Sequence, residues 1–347
     1  MSEQSWTGSA RGRVNLIGEH TDYNGGMVLP CALSVGLEVT LIPRKDEAVA
    51  VDSSDYETPS IRNLSDDAVG DWSDAAVGAA RIANALGLVA GGATISIRST
   101  IPQGSGLSSS AALIVAILKA AREHAESELS DVDLAIAARQ VENEYMGVPC
   151  GIMDQMAVAL ATPGTAMALD TKALAYELVA LPSTHEMVVV HSGVTRKLTD
   201  GRYKARKLEC DVAKAHFGTE DLCLLDLRPV EQADLAEHPK KRTLHCVTEH
   251  QRVLAATHAL DKGEMVGFGE LMNQSHASMR DWFEMSVPPI DALVADAVEL
   301  GALGARLTGG GFGGCIVACV ENAAREEWLA ALLARHPDAH FIDAISG

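Results

Sequence analysis

Fifteen residues near the N-terminus constrain this chain more than any other segment. From Gly12 to Gly26 they read Gly-Arg-Val-Asn-Leu-Ile-Gly-Glu-His-Thr-Asp-Tyr-Asn-Gly-Gly. The Gly25-Gly26 pair marks a turn ahead of the apolar Met27-Val28-Leu29. One arginine, two carboxylates and a histidine are thus concentrated at a single turn. Glu19, His20 and Asp22 could be a solvated turn and nothing more. Alternatively, two carboxylates three residues apart offer several acceptors to one small polyol. Sugar hydroxyls are donors, and a site built to pair them rejects analogues that leave its groups unpaired.

A length of 347 residues leaves room for two domains and a substantial core. Hydrophobic content of 47% and a mean hydropathy of +0.08 are those of a globular protein. The opening Met-Ser-Glu-Gln-Ser-Trp-Thr-Gly is polar and acidic, unlike a signal or transit peptide. No apolar run approaches the roughly 18–20 residues that cross a bilayer. Seven scattered cysteines without a Cys-x-x-Cys indicate neither a disulfide framework nor a zinc site. A reduced, cytoplasmic, monomeric protein is expected. The formal charge of −19 argues against nucleic acid or an anionic membrane as partner, since both require a cationic field. An anionic ligand would have to be held locally, by backbone N–H groups, a helix N-terminus, a divalent cation and a few placed side chains.

Period-two alternation predicts strands at 35–42 and 94–98, and Glu186–His191 reads as another. Helical spacing covers 71–86, 111–121 (with Ser108 or Ser109 as N-cap) and 130–146. Further helices are expected at 199–215, 240–260, 264–279 and 289–300. A strand at 305–308, a glycine cluster, a strand at 315–320, and a last helix and strand complete the pattern. Strands and helices alternate without a regular βαβ period, which predicts an α+β fold. The domain boundary is expected between 170 and 186, drawn at 178/179.

Four further segments carry chemistry. Gly104-Ser-Gly-Leu-Ser-Ser-Ser110 runs into the helix at 111, so its amides and the helix dipole could cradle a phosphate. It could equally be a serine-capped helix, and it lacks the Gly-Lys-Ser/Thr of a Walker A loop. Gly309-Gly-Gly-Phe-Gly-Gly314 satisfies G-x-G-x-x-G but precedes a strand rather than a helix, which rules out a Rossmann fingerprint and a dinucleotide-dependent oxidoreductase. Asp154 lies among Ile152, Met153, Met156 and Val158, where a carboxylate should be partly buried and paired. The run Arg196, Lys197, Arg202, Lys204, Arg206 and Lys207 reads as a solvated basic face.

Together these segments resemble the galactokinases, a branch of the GHMP family of small-molecule kinases. The resemblance rests on 12–26, on Pro-x-Gly-x-Gly-Leu-Ser-Ser-Ser-Ala at 102–111, on Cys-Gly-Ile-Met-Asp-Gln at 150–155 and on Leu-Thr-Gly-Gly-Gly-Phe-Gly-Gly at 307–314. It spans about residues 10–320, with the motifs in the expected order. It implies two domains, an N-terminal one (1–178) like domain 2 of ribosomal protein S5 and a C-terminal ferredoxin-like one (179–347), with the site between them. It implies ATP-dependent phosphorylation of the C1 hydroxyl of galactose, the entry step of galactose metabolism, with Mg²⁺ as cofactor. Asp154 and Arg13 would be catalytic. Glu19, His20, Thr21, Asp22, Gly151 and Tyr203 would hold the sugar. Trp72 and residues Gly104, Ser105, Gly106, Leu107, Ser108, Ser109 and Ser110 would hold ATP, with Ser110 and Glu142 on the metal. Two departures stand out: Arg11-Gly12 replaces a Pro-Gly, and Ala75 stands where a second aromatic is usual. A kinase for N-acetylgalactosamine or L-arabinose, and a non-catalytic galactose and ATP sensor, remain alternatives.

Overall fold

The alternating segments do form strands. The computed structural model describes residues 4–195 and 201–347. In chain order its strands are β1 (Trp6–Asn15), β2 (Met27–Val28), β3 (Pro30–Pro43), β4 (Ala48–Ser53), β5 (Ser60–Asn63) and β6 (Ala93–Ser99). They continue with β7 (Thr165–Asp170), β8 (Ala175–Ala180), β9 (His185–His191), β10 (Gly304–Leu307), β11 (Cys315–Glu321) and β12 (His340–Ile345). The helices are α1 (Asp74–Ala85), α2 (Ser109–His124), α3 (Asp131–Gln140), α4 (Met153–Leu160) and α5 (Arg202–Phe217). After them come α6 (Leu227–Gln232), α7 (Glu237–Lys262), α8 (Met265–Asp281), α9 (Pro288–Glu299) and α10 (Arg325–Arg335). The expected start of the helix at Thr199, with Arg196 and Lys197, lies outside the described residues.

Packing divides the chain into two compact units. The first holds the residues up to Arg13, Ser34–Gln103 and Ser108–Leu160; the second holds Val14–Leu33, Gly104–Leu107 and the described residues from Ala161 on. This grouping interleaves the sequence, whereas a boundary at 178/179 cuts it once.

In the first unit β3 pairs antiparallel with β6 over Leu37–Pro43, β6 runs parallel to β4, and β4 is antiparallel to β5. A parallel pair needs a crossover, and the chain between β4 and β6 supplies it through β5 and α1. The Ala111–Leu118 stretch of α2 is apolar all round and buried without a break. Each of its buried Leu, Ile and Val side chains contributes roughly 1.5–3 kcal/mol. It packs on α1, α3 and α4. The helix expected at 130–146 is not uniform. Ser130 caps α3 in a reciprocal box with Asp133, α3 ends at Gln140, and Val141–Tyr145 form one wide π-helical turn. The Met146 N–H closes that turn on the Val141 carbonyl at 3.0 Å.

In the second unit a four-stranded antiparallel sheet runs β10-β11-β9-β12. Met187–Val190 of β9 are all buried, so this strand reads as a continuous apolar run rather than an alternation. Val188, Val190, Leu307 and Ile316 form a core with Met279, Phe283, Leu293 and Leu332. β7 pairs antiparallel with β2 and β8, and Cys31 of β3 pairs with Ala166. Antiparallel pairing predominates and one described pair is parallel, as an α+β fold requires. Among the described residues no helix is long and apolar enough to cross a membrane.

Candidate active site

In the first unit Arg13, near the end of β1, is buried, and its partner is the carboxylate in the first turn of α4. Arg13 Nε donates to Asp154 Oδ1 at 3.0 Å, and Nη2 lies 2.7 Å from the same oxygen. The Asp154 side chain keeps 31% of its exposure, so the pair is anchored on the arginine side and open on the other. Gly151 is buried two residues before α4. The wide turn carries Glu142, whose Oε1 accepts from the Ser110 hydroxyl at 2.6 Å. Gln155 donates to its other oxygen, and the Cys150 thiol lies 3.8 Å away. Burial pushes the Glu142 carboxyl up, and the Asp154 charge pushes it further.

Ser108 occupies the N-cap position of α2, as expected, but in a left-handed conformation (φ 63°) and without a side-chain cap bond. Its hydroxyl is buried and has no hydrogen-bond partner among the described residues. A serine that only capped the helix would accept from the first-turn amides.

In the second unit the signature segment is not a solvated turn. Glu19, His20 and Thr21 are buried and Asp22 is half-buried. The Thr21 hydroxyl lies 2.8 Å from the Gly18 carbonyl oxygen and 2.7 Å from that of Met27, which draws the segment into a closed loop. Gly18 (φ +106°) occupies a conformation that L side chains rarely adopt, and His20 (φ 61°) is left-handed. The His20 ring stacks on Phe283 (centroids 4.3 Å apart), bonds the Tyr23 hydroxyl at 2.7 Å and lies 5.2 Å from the Tyr203 ring. Tyr203, in the first turn of α5, is therefore brought to His20 of the signature segment from 183 positions away. Glu19 is engaged by protein groups: Arg306 contacts Oε2, and Oε1 accepts from the Gly309 N–H at 3.0 Å. Burial raises the Glu19 carboxyl, and Arg306 is the main influence opposing it.

The first half of the phosphate-type loop belongs to this unit and lies against the glycine-rich turn. A Cβ on Gly314 would stand 3.1 Å from the Ser105 carbonyl oxygen, and one on Gly309 would stand 3.3 Å from that of Gly106. Both glycines have positive φ. The glycine cluster thus links β10 to β11 by a turn close enough to need missing side chains, in place of a Rossmann helix start. Leu107 is buried.

Trp72 stands in the turn before α1 and stacks on Tyr56, with centroids 4.4 Å apart and planes 12° from parallel. The aromatic neighbour that Ala75 does not supply comes from the segment after β4. Asp74 pins the preceding loop by accepting from Val69 and Gly70 N–H groups and from Arg62.

Several residues around the signature were not assigned by sequence reasoning. Tyr23 and Phe283 flank His20, and α7 contributes His245, Glu249 and His250. Glu249 Oε1 accepts from the Gly18 N–H at 3.0 Å, and His250 Nδ1 from the Met27 N–H at 3.1 Å. His245 Nε2 donates to the Glu19 carbonyl at 3.1 Å, so Nδ1 accepts from Ser278 at 2.8 Å, and burial lowers this imidazole to about 4. The available signal was spacing: 245 and 249 are four apart, on one helix face with Val253.

The model of the GHMP kinases N-terminal domain matches residues 74–162, the galactokinase galactose-binding signature matches 2–41, and the GHMP kinases C-terminal model matches 256–337. A Lactococcus lactis galactokinase solved in complex with galactose is 30% identical, with a TM-score of 0.94 over 100% of this chain and 94% of that one. The chain therefore belongs to the GHMP kinases and, within them, to the galactokinase family. The Methanococcus jannaschii mevalonate kinase (18% identity, TM-score 0.73, 100% and 99% covered) shares the fold. So does the L. major mevalonate kinase solved with R-mevalonate (22%, 0.71, 98% and 95%).

Proposed function

We propose that this chain transfers the γ-phosphoryl group of ATP to the C1 hydroxyl of α-D-galactose, giving ADP and galactose 1-phosphate. The Arg13–Asp154 pair carries the reading: a carboxylate held by a buried guanidinium while its other side stays open. As the C1 oxygen bonds to the γ-phosphorus, the bond to the β,γ-bridging oxygen breaks, ADP leaves, and Asp154 accepts the hydroxyl proton. Arg13 orients Asp154 through two guanidinium nitrogens and offers positive charge to the phosphoryl oxygens. Little other covalent help is needed, because the transition state is loose.

Glu19, His20, Thr21 and Asp22, with Gly151 and Tyr203, bind the sugar; the galactose-binding signature over 2–41 and the Tyr203–His20 proximity support this. Residues 104–110 hold the phosphates and Trp72 serves the adenine. The buried Ser108 hydroxyl without a partner and the uncapped start of α2 favour an anion there. Mg²⁺ fits Ser110 and Glu142. Glu142 is a buried carboxylate whose ionised form burial disfavours, which a cation would reverse. One carboxylate and one hydroxyl leave the remaining positions to phosphate oxygens and water, as this ion prefers. Bound there, it neutralises phosphate charge. In the linear division, 1–178 contributes the signature, the phosphate loop and Asp154, and 179–347 contributes Tyr203 and the glycine-rich turn. A reduced cytoplasmic monomer completes the reading, in keeping with seven cysteines that form no disulfide.

The test is a panel of sugars in a coupled ADP-release assay. Galactose is expected to turn over fastest. Equal or faster turnover of N-acetylgalactosamine or L-arabinose would reassign the substrate. Thermal stabilisation by galactose and ATP without ADP release would make the chain a sensor.

A further inference from the structure

Beneath the signature segment lie four fully or largely buried charges, two of each sign: Glu19, Arg306 of β10, and Glu249 and Arg252 of α7. Glu249 divides its carboxylate between backbone and cations. Oε1 takes the Gly18 N–H at 3.0 Å and lies 3.6 Å from Arg306 Nη2, and Oε2 takes Arg252 Nε at 2.7 Å. Arg306 Nη1 donates to the Asn15 carbonyl at 3.3 Å while Nη2 engages Glu19 Oε2. Glu19 then passes the connection on, since its Oε1 accepts from Gly309 N–H and lies 3.3 Å from the Thr308 hydroxyl. That hydroxyl accepts from the Asn15 N–H at 3.2 Å, which closes the ring. His245 fixes the Glu19 carbonyl from the same helix face.

The ring meets the backbone at Asn15, Gly18, Glu19 and Gly309, while Ser275 donates a further hydroxyl bond to Glu249 Oε1 from α8. Burying four ions is costly and adds little net stability compared with apolar packing of equal volume. What the arrangement does secure is the backbone at Asn15, Gly18 and Glu19, immediately before the left-handed His20, and the first turn of the glycine-rich segment. We propose that Glu249 and Arg306 are positioning residues which, through Glu19, set the sugar-binding backbone at 15–20 and the glycine-rich turn at 308–309 as one assembly. The proposal rests on the function argued above for its sugar readout and on the fold alone for its backbone readout.

The two are separated by one set of experiments on the full chain. In the parent protein, the Gly18 and Gly309 amides should exchange with deuterium as slowly as those paired between β9 and β11. Exchange as fast as at the turn glycine Gly87 would overturn the proposal whatever the substrate is, and whether or not any variant folds. Glu249→Gln keeps the size and an oxygen for the Gly18 amide but removes the charge. It should raise deuterium uptake over 15–21 and 307–312 while leaving β9 and β11 unchanged. The galactose KM should rise roughly 10-fold or more, as expected for a lost charged hydrogen bond, with the ATP KM within about twofold. A purely structural role would lower the unfolding temperature without moving the galactose KM of the folded fraction. Arg306→Lys, which cannot bridge Asn15 and Glu19 as the guanidinium fork does, should reproduce the split. Folded variants with galactose affinity and uptake at 15–21 within about twofold of the parent would refute the assignment. Failure of the parent to bind galactose would refute only the functional reading.

Discussion

Replacing Asp154 with asparagine separates chemistry from architecture, because the structure says what the change costs each. Both described Arg13–Asp154 contacts fall on Oδ1, at 3.0 and 2.7 Å, and asparagine retains an oxygen there. What disappears is the charge of a carboxylate that is nearly one-third exposed, so solvent already screens part of the pairing. The stability loss should be about 1 kcal/mol, the difference between a charge-assisted and an ordinary hydrogen bond. Alanine would be a poorer probe, since it also withdraws the oxygen that Arg13 grips. The chemical step should suffer far more. Asparagine cannot accept the C1 proton, and removal of a general base lowers turnover by about 10²–10⁴. That range corresponds to roughly 2.7–5.4 kcal/mol of barrier, well above the folding cost. We expect kcat to fall by that factor in the ADP-release assay, with galactose and ATP affinities measured by calorimetry close to the parent's. A kcat within about threefold of the parent would show that Asp154 is not the base.

Arg13→Lys should also lose most turnover, since a point charge cannot reach both the aspartate and the phosphoryl oxygens; retained kcat would remove Arg13 from the chemical step. Tyr203→Phe should raise the galactose KM by roughly 2- to 10-fold, the equivalent of one neutral hydrogen bond, and leave the ATP KM unchanged. Ser110→Ala and Glu142→Gln should each raise the Mg²⁺ concentration needed for half-maximal rate, and the double variant should lose less than the sum; full additivity would mean that one of them acts independently of the ion. Glu142 also sets a pH dependence. Its folded carboxyl is raised above the ordinary 4.5, so the folded chain holds that proton more tightly than the unfolded one. The stabilisation is present below 4.5 and is lost as pH rises through the raised value. The ligand-free parent should therefore lose melting temperature relative to Glu142→Gln as pH rises from 4.5 through the raised value. Parallel curves would show that Glu142 is not strained by its burial.

Much of the arrangement was legible from local pattern. The strands at 35–42, 94–98 and 186–191 and the helices α2, α8 and α9 follow from periodicity, because each buries one face or is buried all round. The split at Gln140 was not legible, since a π-helical turn differs from an α-helical one by a single residue and leaves the apolar spacing nearly intact. β1 escaped detection because Gly8, Ser9 and Gly12 dilute its alternation. At the site, motif residues were legible because their chemistry is compressed into a few positions. His245, Glu249 and Arg306 were not: the first two are lost among the many polar residues of α7, Arg306 is a lone polar residue in the apolar β10, and their partners in the signature segment lie more than two hundred positions away. The stack of Trp72 on Tyr56 escaped for the same reason, sixteen residues and a strand apart.

The sequence separations of the buried ring bear on how the polypeptide is made. Gly18 waits for Glu249, 231 positions later, and the Glu19 bonds to Arg306 and Gly309 span 287 and 290 positions. A ribosome adding 5–20 residues each second leaves this loop without its partners for roughly 15–60 seconds. During that interval the nascent chain carries a carboxylate destined for burial before the Arg306 guanidinium that meets it has been made. The first part of the site to be synthesised is thus the last to be locked. Slow acquisition of galactose binding during refolding, after most secondary structure has formed, would be the kinetic mark of this late closure.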